Sequence, residues 1–355
     1  MSFRTKVRDL IKKRILGKTL LPQEFTLGLP EPQTEITVSL RSPSGSRDVT
    51  TRLSTACAEP LTVCIGFDEG TCPSGKDLSD LTLVFSERNG RQRILGEIGL
   101  DFKQTLAGTR SEFMLFEPLS SRNFCLSKAH LGLHYLLHAY RQWKRDNTQG
   151  IQMSFLERRA SMVTFIRPHP IFLVSVGNYE DGNLFPMNLC GYLGNGHFGF
   201  ALRTERVAGT LVRKAGRVAL SSVPEMQGST AYRLADQHKK ESIDWSRLPF
   251  ATRSSKVLGI PVPEFAQRVK ELEISNSIAV GSHRFFIAQI LEEEVLSDEL
   301  GFCSIHGFYQ FWRLKELKQF ETELARSLAG DAFHKRERHP RIVPENSRTS
   351  KGTIR

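Results

Sequence analysis

The segment from Met162 to Arg203, together with its echo at Gly281 to Ile290, restricts this chain more than any other stretch. Ile171-Phe172-Leu173-Val174-Ser175-Val176-Gly177 is a β-branched and aromatic run with a prolyl start and a glycyl stop. That pattern predicts a buried strand. Asn178 to Asn183 then turns the chain around Asp181-Gly182, and Leu184 to Leu189 returns as hydrophobic sequence, which predicts a hairpin. Two more apolar runs follow, His197 to Leu202 ending at Arg203-Thr204 and Arg217 to Val223 ending at Pro224. Short strands at this spacing predict a barrel or a sandwich.

The order of these pieces resembles the flavin reductase-like, FMN-binding split-barrel family. The resemblance is carried by the proline-led Arg167-Pro168-His169-Pro170-Ile171, by the Asn- and Met-bearing turn from Asn183 to Asn188, and by the strand ending in Leu202-Arg203. It continues through the polar Asp244-Trp245 loop, Leu258-Gly259-Ile260-Pro261-Val262, the strand from Gly281 to Ile290 and the closing Ile305-His306-Gly307-Phe308-Tyr309. It covers residues 160 to 313. No single piece is specific; the order and spacing carry it.

Outside that region the sequence speaks for itself. With 39% apolar and 9% aromatic residues over 355 positions, it is a globular chain of one large or two ordinary domains. No run approaches a membrane span, and charges stand where a signal peptide needs an apolar centre, so a cytoplasmic location is expected. The six cysteines (Cys57, Cys64, Cys72, Cys125, Cys190, Cys303) show no zinc-type pairing and read as free, mostly buried thiols.

The net charge of +11 is concentrated at the ends: residues 1 to 20 carry +6 and residues 331 to 355 carry +4. A basic groove across a folded domain is therefore not supported, and nucleic acid is not an expected partner. Phe3, Val7, Leu10, Ile11 and Ile15 fall at helical spacing and suit a docking helix, with an anionic membrane surface or RNA as the other readings. The predicted organisation is a basic helix and linker over 1–33, an antiparallel β domain over 34–120, a linking helix within 121–150, the split barrel over 151–313, a C-terminal helix over 314–330 and a disordered basic tail over 331–355.

The fold class is thus mainly β (α+β), with a C-terminal split barrel preceded by a small β domain, read as a sandwich. Strands are predicted at Ile36 to Leu40, Asp48 to Leu53, Leu61 to Phe67, Leu81 to Phe85, Ile94 to Phe102 and Glu112 to Phe116, with Asn89-Gly90 as a hairpin signal. The linking helix, Ser127 to Arg145, places His130, His134 and His138 on one face. Two histidines so spaced can grip a metal, but three are spread over two turns with no glutamate between, so packing histidines are the expectation and no metal is assigned.

The resemblance implies FMN as cofactor, NADH or NADPH as co-substrate, and a homodimer with the flavin at its interface. By position it implies that Met187, Asn188, Leu189 and Cys190 run beside the ring, and that Arg203 and Thr204 stand near the phosphate. Arg206-Val207-Ala208-Gly209-Thr210 departs from the family pattern; either Thr210 substitutes with a shift or the phosphate is held less well. Lys240 and its neighbour Lys239 lie in a loop that approaches the cofactor in relatives or is simply solvated. His283 sits over the flavin edge by the resemblance, as the candidate catalytic residue, or caps its hairpin. His306 and Tyr309 either reach the same pocket or complete the core. The function implied is hydride transfer to FMN by a flavin reductase-like enzyme; the alternative is a non-catalytic split barrel whose N-terminal β domain binds a partner or ligand.

Overall fold

Apolar alternation from Ile36 onward becomes strand in the structure, a computed structural model that describes residues 24–31, 34–144, 154–317 and 323–325. After β1 (Glu24–Leu29) come β2 (Ile36–Ser42), β3 (Gly45–Asp48), β4 (Leu53–Ala58) and β5 (Leu61–Asp68). A one-turn helix, α1 (Lys76–Ser79), precedes β6 (Leu81–Glu87), β7 (Ile94–Gly108) and β8 (Ser111–Asn123). The strands β2 to β8 form one antiparallel sheet in the order β3-β2-β6-β7-β8-β5-β4.

Two helices, α2 (Lys128–Lys144) and α3 (Phe155–Thr164), link this sheet to the second half. A capping box starts α3, with Ser154 and Glu157 each satisfying the other's backbone N–H. Then follow β9 (His169–Pro170), β10 (Phe172–Val176), β11 (Asn183–Met187), β12 (Cys190–Gly194) and β13 (His197–Arg203). The helix α4 (Val207–Ala215) leads into β14 (Arg217–Ser222). An excursion holds α5 (Gly228–Arg233), 3₁₀ turns at Ala235–Lys239 and Trp245–Arg247, and a small ribbon of β15 (Thr252–Ser254) and β16 (Pro261–Pro263). The long hairpin β17 (Arg268–Val280) and β18 (His283–Val295) completes a second seven-stranded sheet, ordered β11-β10-β14-β17-β18-β13-β12. Finally β19 (Gly301–His306), α6 (Gly307–Trp312) and β20 (Glu323–Ala325) lie at the other end, where β20, β1, β19 and β9 make a four-stranded sheet.

Both large sheets must roll up. The edge strands β11 and β12 are joined by Asn188 and Leu189 alone, a reach of about 11 Å, whereas the edges of a flat seven-stranded sheet stand about 29 Å apart. Four residues, 49–52, likewise join the edges β3 and β4. The second sheet is the split barrel expected for the C-terminal half. The N-terminal domain is no sandwich: with its edges tied this closely, it too is a single rolled sheet. Numbered first to seventh within each sheet, the strand order is 2-1-5-6-7-4-3 in both, with a helix between the fourth and fifth strands each time.

The two barrels pack through their third, fourth and seventh strands. Ala56, Cys64, Phe113 and Leu115 from the first meet Leu193, Ala201, Phe285 and Ile287 from the second in one buried cluster. The sheets approach to backbone contact: a Cβ on Gly66 would lie 1.8 Å from the Leu193 carbonyl oxygen, and one on Gly191 would lie 2.1 Å from that of Leu53. Ser54 Oγ donates to the Gly199 carbonyl at 3.0 Å, and the buried Arg167 donates to that of Leu53 at 2.8 Å.

Several expectations are corrected. Of the expected strand Asp48 to Leu53, residues 49–52 are a connection, because Asp48 accepts the Thr50 N–H and Thr50 Oγ1 accepts the Val38 N–H, bending the chain; Asp48 ends β3 and Leu53 begins β4. Residues 24–29, within the expected helix and linker, form a strand beside β19, and 323–325, within the expected C-terminal helix, pair with β1. The basic segment before Glu24, with its helical spacing, and the C-terminal tail lie outside the described residues. The closing strand stops at His306, whose Nδ1 accepts the Phe308 N–H and starts α6. Among the described residues, no helix is long and apolar enough to cross a membrane.

Candidate functional site

The strand β13 leaves the barrel at Arg203, which stands opposite His283, the first residue of β18. One step on, the Thr204 N–H and hydroxyl both donate to the Ser282 carbonyl, at 3.1 and 3.2 Å. This pairing holds Arg203, Thr204, Ser282 and His283 on one rim. The N-terminal sheet closes that rim. The Ser282 N–H donates to the Glu59 carbonyl at 2.8 Å, and a Cβ on Gly281, at φ +49°, would fall 2.3 Å from the same oxygen. Cys57 Sγ lies 3.5 Å from His283 Nδ1, which also faces Ser282 Oγ at 2.9 Å.

A further wall comes from the Ala235–Lys239 turn. His238 Nε2 donates to the Pro186 carbonyl at 2.6 Å, and its ring lies 4.7 Å from that of Phe185. Burial pushes both His238 and His283 down to about 4, with the Arg203 guanidinium adding in the same direction; Arg206 adds to the effect on His238. Both imidazoles are therefore neutral at pH 7. Arg203 Nη1 donates to Glu205 at 2.8 Å, with the Glu205 side chain 64% exposed. A carboxylate so exposed is a weak, displaceable partner.

Beyond Arg203 the chain enters α4 at Arg206, whose N–H donates to the Arg203 carbonyl at 3.2 Å. No side chain caps this helix. Its first-turn N–H groups, which have no intrahelical acceptor, thus start beside a guanidinium, and both features favour an anion. Gly216, left-handed at φ 68°, ends the helix by donating to the Val212 carbonyl.

The other candidate residues fall as follows. The Leu189 carbonyl accepts the Ala201 N–H, and its side chain packs on the cluster between the barrels. Asn188 Nδ2 donates to Ser304 Oγ at 3.4 Å. Met187 and Cys190 are buried in the barrel interior, where burial drives the Cys190 thiol up to about 12. Thr210 is exposed on α4. Lys240 is exposed too; its carbonyl accepts from Asn183, and it lines a separate shallow cleft of about 320 Å³ with Gln237, Asp244 and Arg247. Arg203, Thr204 and His283 are thus brought together with Leu189 nearby, while Lys240 faces the neighbouring cleft.

The rest of the polar candidates have other tasks. Tyr309 donates to Glu35 at 2.6 Å from within the core, and His306 caps α6. On α2, His130 pairs with Ser127 Oγ at 2.8 Å and His134 packs edge-on to Phe308, so these two serve local structure. Sequence reasoning missed Cys57, Ser282 and His238. His238 directly precedes the lysine pair that had drawn notice, whereas Cys57 belongs to the rim only through the docking of the two barrels.

No family model matches this chain, and no curated protein matches it. Solved structures do. An FMN-binding protein from Thermus thermophilus with bound p-hydroxybenzaldehyde is similar at 23% identity, over 37% of this chain and 73% of that one, with a TM-score of 0.33. The NADH:FAD oxidoreductase of Streptomyces globisporus C-1027 is similar at 16% identity, over 42% and 89%, with a TM-score of 0.37. The styrene monooxygenase flavin reductase of Pseudomonas putida S12 is similar at 18% identity, over 40% and 90%, with a TM-score of 0.34.

Proposed function

We propose that the rim at Arg203 and Thr204 is the phosphate end of a flavin site and that the chain is a flavin-dependent oxidoreductase, with NAD(P)H:flavin reductase-like hydride transfer to FMN as its reaction. The observation that carries this is the uncapped start of α4 beside Arg203, on a rim walled by a second sheet. A phosphate needs a cation and oriented N–H donors, and both are here. Arg203 is the cation, set free when the exposed Glu205 swings away. Thr204 and, one turn into α4, Thr210 offer hydroxyls. Leu189 and the Met187–Asn188 link form the wall toward the ring, and Cys57 of the first sheet stands opposite.

FMN supplies the two-electron chemistry when bound, and the chain supplies alignment and a defined electrostatic setting. His283 enters as a neutral imidazole fixed by Ser282 and Cys57, able to hydrogen-bond a ring edge without placing a charge there. The rival role for the N-terminal domain, binding a separate partner, is disfavoured because β4 is already spent on the C-terminal barrel.

The test is an absorption spectrum after mixing with FMN and desalting, followed by NADH or NADPH without air. A retained flavin spectrum that bleaches on adding the nicotinamide supports the reading. Absence of both retained flavin and turnover with excess FMN would sink it.

A further inference from the structure

We infer that the N-terminal sheet is a built-in second barrel that occupies the place of a partner subunit, so that one chain forms the whole assembly and offers one flavin rim where a two-fold pair of barrels would offer two. The second half of this statement rests on the flavin reading above; the first half does not.

The identical strand orders give the repeat, and the contacts between the barrels give the pairing its symmetry. In a two-fold interface, if element i of one copy touches j of the other, then j of the first touches i of the second. That reciprocity is present. The turn between the sixth and seventh strands of the C-terminal barrel, at Ser282, bonds the turn between the third and fourth strands of the N-terminal one, at Glu59. Reciprocally, Asn195, between the third and fourth strands of the C-terminal barrel, donates to the Arg110 carbonyl and to Ser111 Oγ at the sixth-to-seventh turn of the N-terminal one, at 3.3 and 3.1 Å. The central cluster takes one residue from each third strand, one from each fourth and two from each seventh.

The same correspondence pairs the two rims residue by residue. Arg203 opposite His283 matches Asp68 opposite Ser111, and the Thr204-to-Ser282 hydrogen bond matches one from the Glu69 N–H to the Arg110 carbonyl at 3.4 Å. At the N-terminal rim the cation is therefore replaced by a carboxylate. Asp68 is engaged by Arg52 at 2.9 Å and Asn195 at 2.8 Å, which tie the rim shut with side chains. The helix matching α4 is α1, a single turn of four residues. The excursion that brings His238 to the C-terminal rim has no counterpart, since β6 and β7 are joined by residues 88–93 alone. An anion that suits the Arg203 rim meets at the Asp68 rim a carboxylate already bonded to Arg52 and, in place of α4, only the single turn α1. The homodimer implied by the family resemblance is, on this inference, realised within one chain.

The test uses the full chain. Light scattering in line with size exclusion, over a hundredfold range of concentration, is expected to give particles of one 40.2 kDa chain. Calorimetric titration with FMN is expected to give one site per chain, lost at least tenfold in affinity in Arg203→Ala and unchanged within twofold in Asp68→Asn. Particles of two chains would overturn the built-in partner, and two FMN per chain would overturn the single rim. One-chain particles that take up no FMN would sink the flavin reading while upholding the built-in partner.

Discussion

Replacing Gly66 or Gly191 by alanine is expected to loosen the two barrels from each other. Both glycines sit where one sheet's backbone meets the other's, and the added methyl of Gly66→Ala would start 1.8 Å from the Leu193 carbonyl oxygen. A backbone atom cannot rotate away, so the sheets must separate locally by roughly 1.5 Å to reach van der Waals distance. Burial of Phe113, Leu115, Leu193, Phe285 and Ile287 in the shared cluster contributes about 1.5–3 kcal/mol each. A gap of 0.5–1 Å already forfeits about a quarter to a half of a contact's attraction. A quarter of that cluster is about 3 kcal/mol, which is the expected loss for either substitution, with the double variant costing less than the sum because both force the same separation. Gly132→Ala is the control: nothing lies within 4 Å of its Cβ position, and removing a helical glycine is expected to stabilise by about 0.5–1 kcal/mol. Urea unfolding followed by tryptophan fluorescence measures all four. Losses below about 0.5 kcal/mol at Gly66 and Gly191 would refute the close approach of the sheets.

Stability should also fall with acid in a defined window. His283 and His238 have folded values of about 4 and His169 of about 3, below the ordinary 6.5, so the unfolded chain takes up protons first as the pH drops; the contribution is complete above pH 6.5 and is lost toward pH 4. Each histidine is expected to remove about 2 kcal/mol at pH 5, read from urea midpoints at pH 7.5 and 5, and equal midpoints would contradict it. Arg313→Ala leaves the half-buried Glu35 with Tyr309 but without its two-pronged cation, for an expected loss of about 3 kcal/mol in the same assay. Glu205→Gln frees Arg203 and is expected to tighten FMN a few-fold, whereas unchanged or weaker binding in a fluorescence titration would remove Arg203 from the phosphate site. A thiol reagent should modify no more than Cys72 in the native chain and all six cysteines in urea, since the other five are buried.

What could be read from the sequence was local. The hairpin at 172–187 and the strands at 197–203 and 217–222 stand out because each is a short apolar run closed by Gly, by Pro or, at Arg203-Thr204, by polar residues, and the barrel follows from their order. The strand that matters most for the site, β4, was missed for a physical reason. Leu53-Ser54-Thr55-Ala56-Cys57-Ala58 lies between two sheets and is buried almost throughout, so it needs small side chains and shows neither alternation nor β-branched bulk. The same crowding asks for glycine at 66 and 191, residues that in isolation argue against a strand. Arg203 and His283 could be named because the family resemblance places them at strand ends; Cys57 joins them only through contacts with Ser282 and His283, more than two hundred positions away. The repeat stayed hidden because strand order is a property of pairing, and because the connection between the fifth and sixth strands is a tight turn in one barrel and a long excursion in the other.

Joining two barrels in one chain changes what each is free to be. Two identical subunits must carry identical rims, so any residue that serves one site appears in both, and a carboxylate that strengthened the interface at one rim would repel the anion at the other. Separate sequences lift that constraint. Asp68 bonds both Arg52 of its own barrel and Asn195 of the other, a cross-barrel tie that occupies the position where Arg203 stands in the second copy. The first barrel thereby contributes stability to the pair and, through Cys57 and Glu59, one wall of the proposed site at the Arg203 rim. Because that wall is covalently attached, completing the site does not depend on protein concentration, whereas a site shared between subunits is lost on dilution below their dissociation constant.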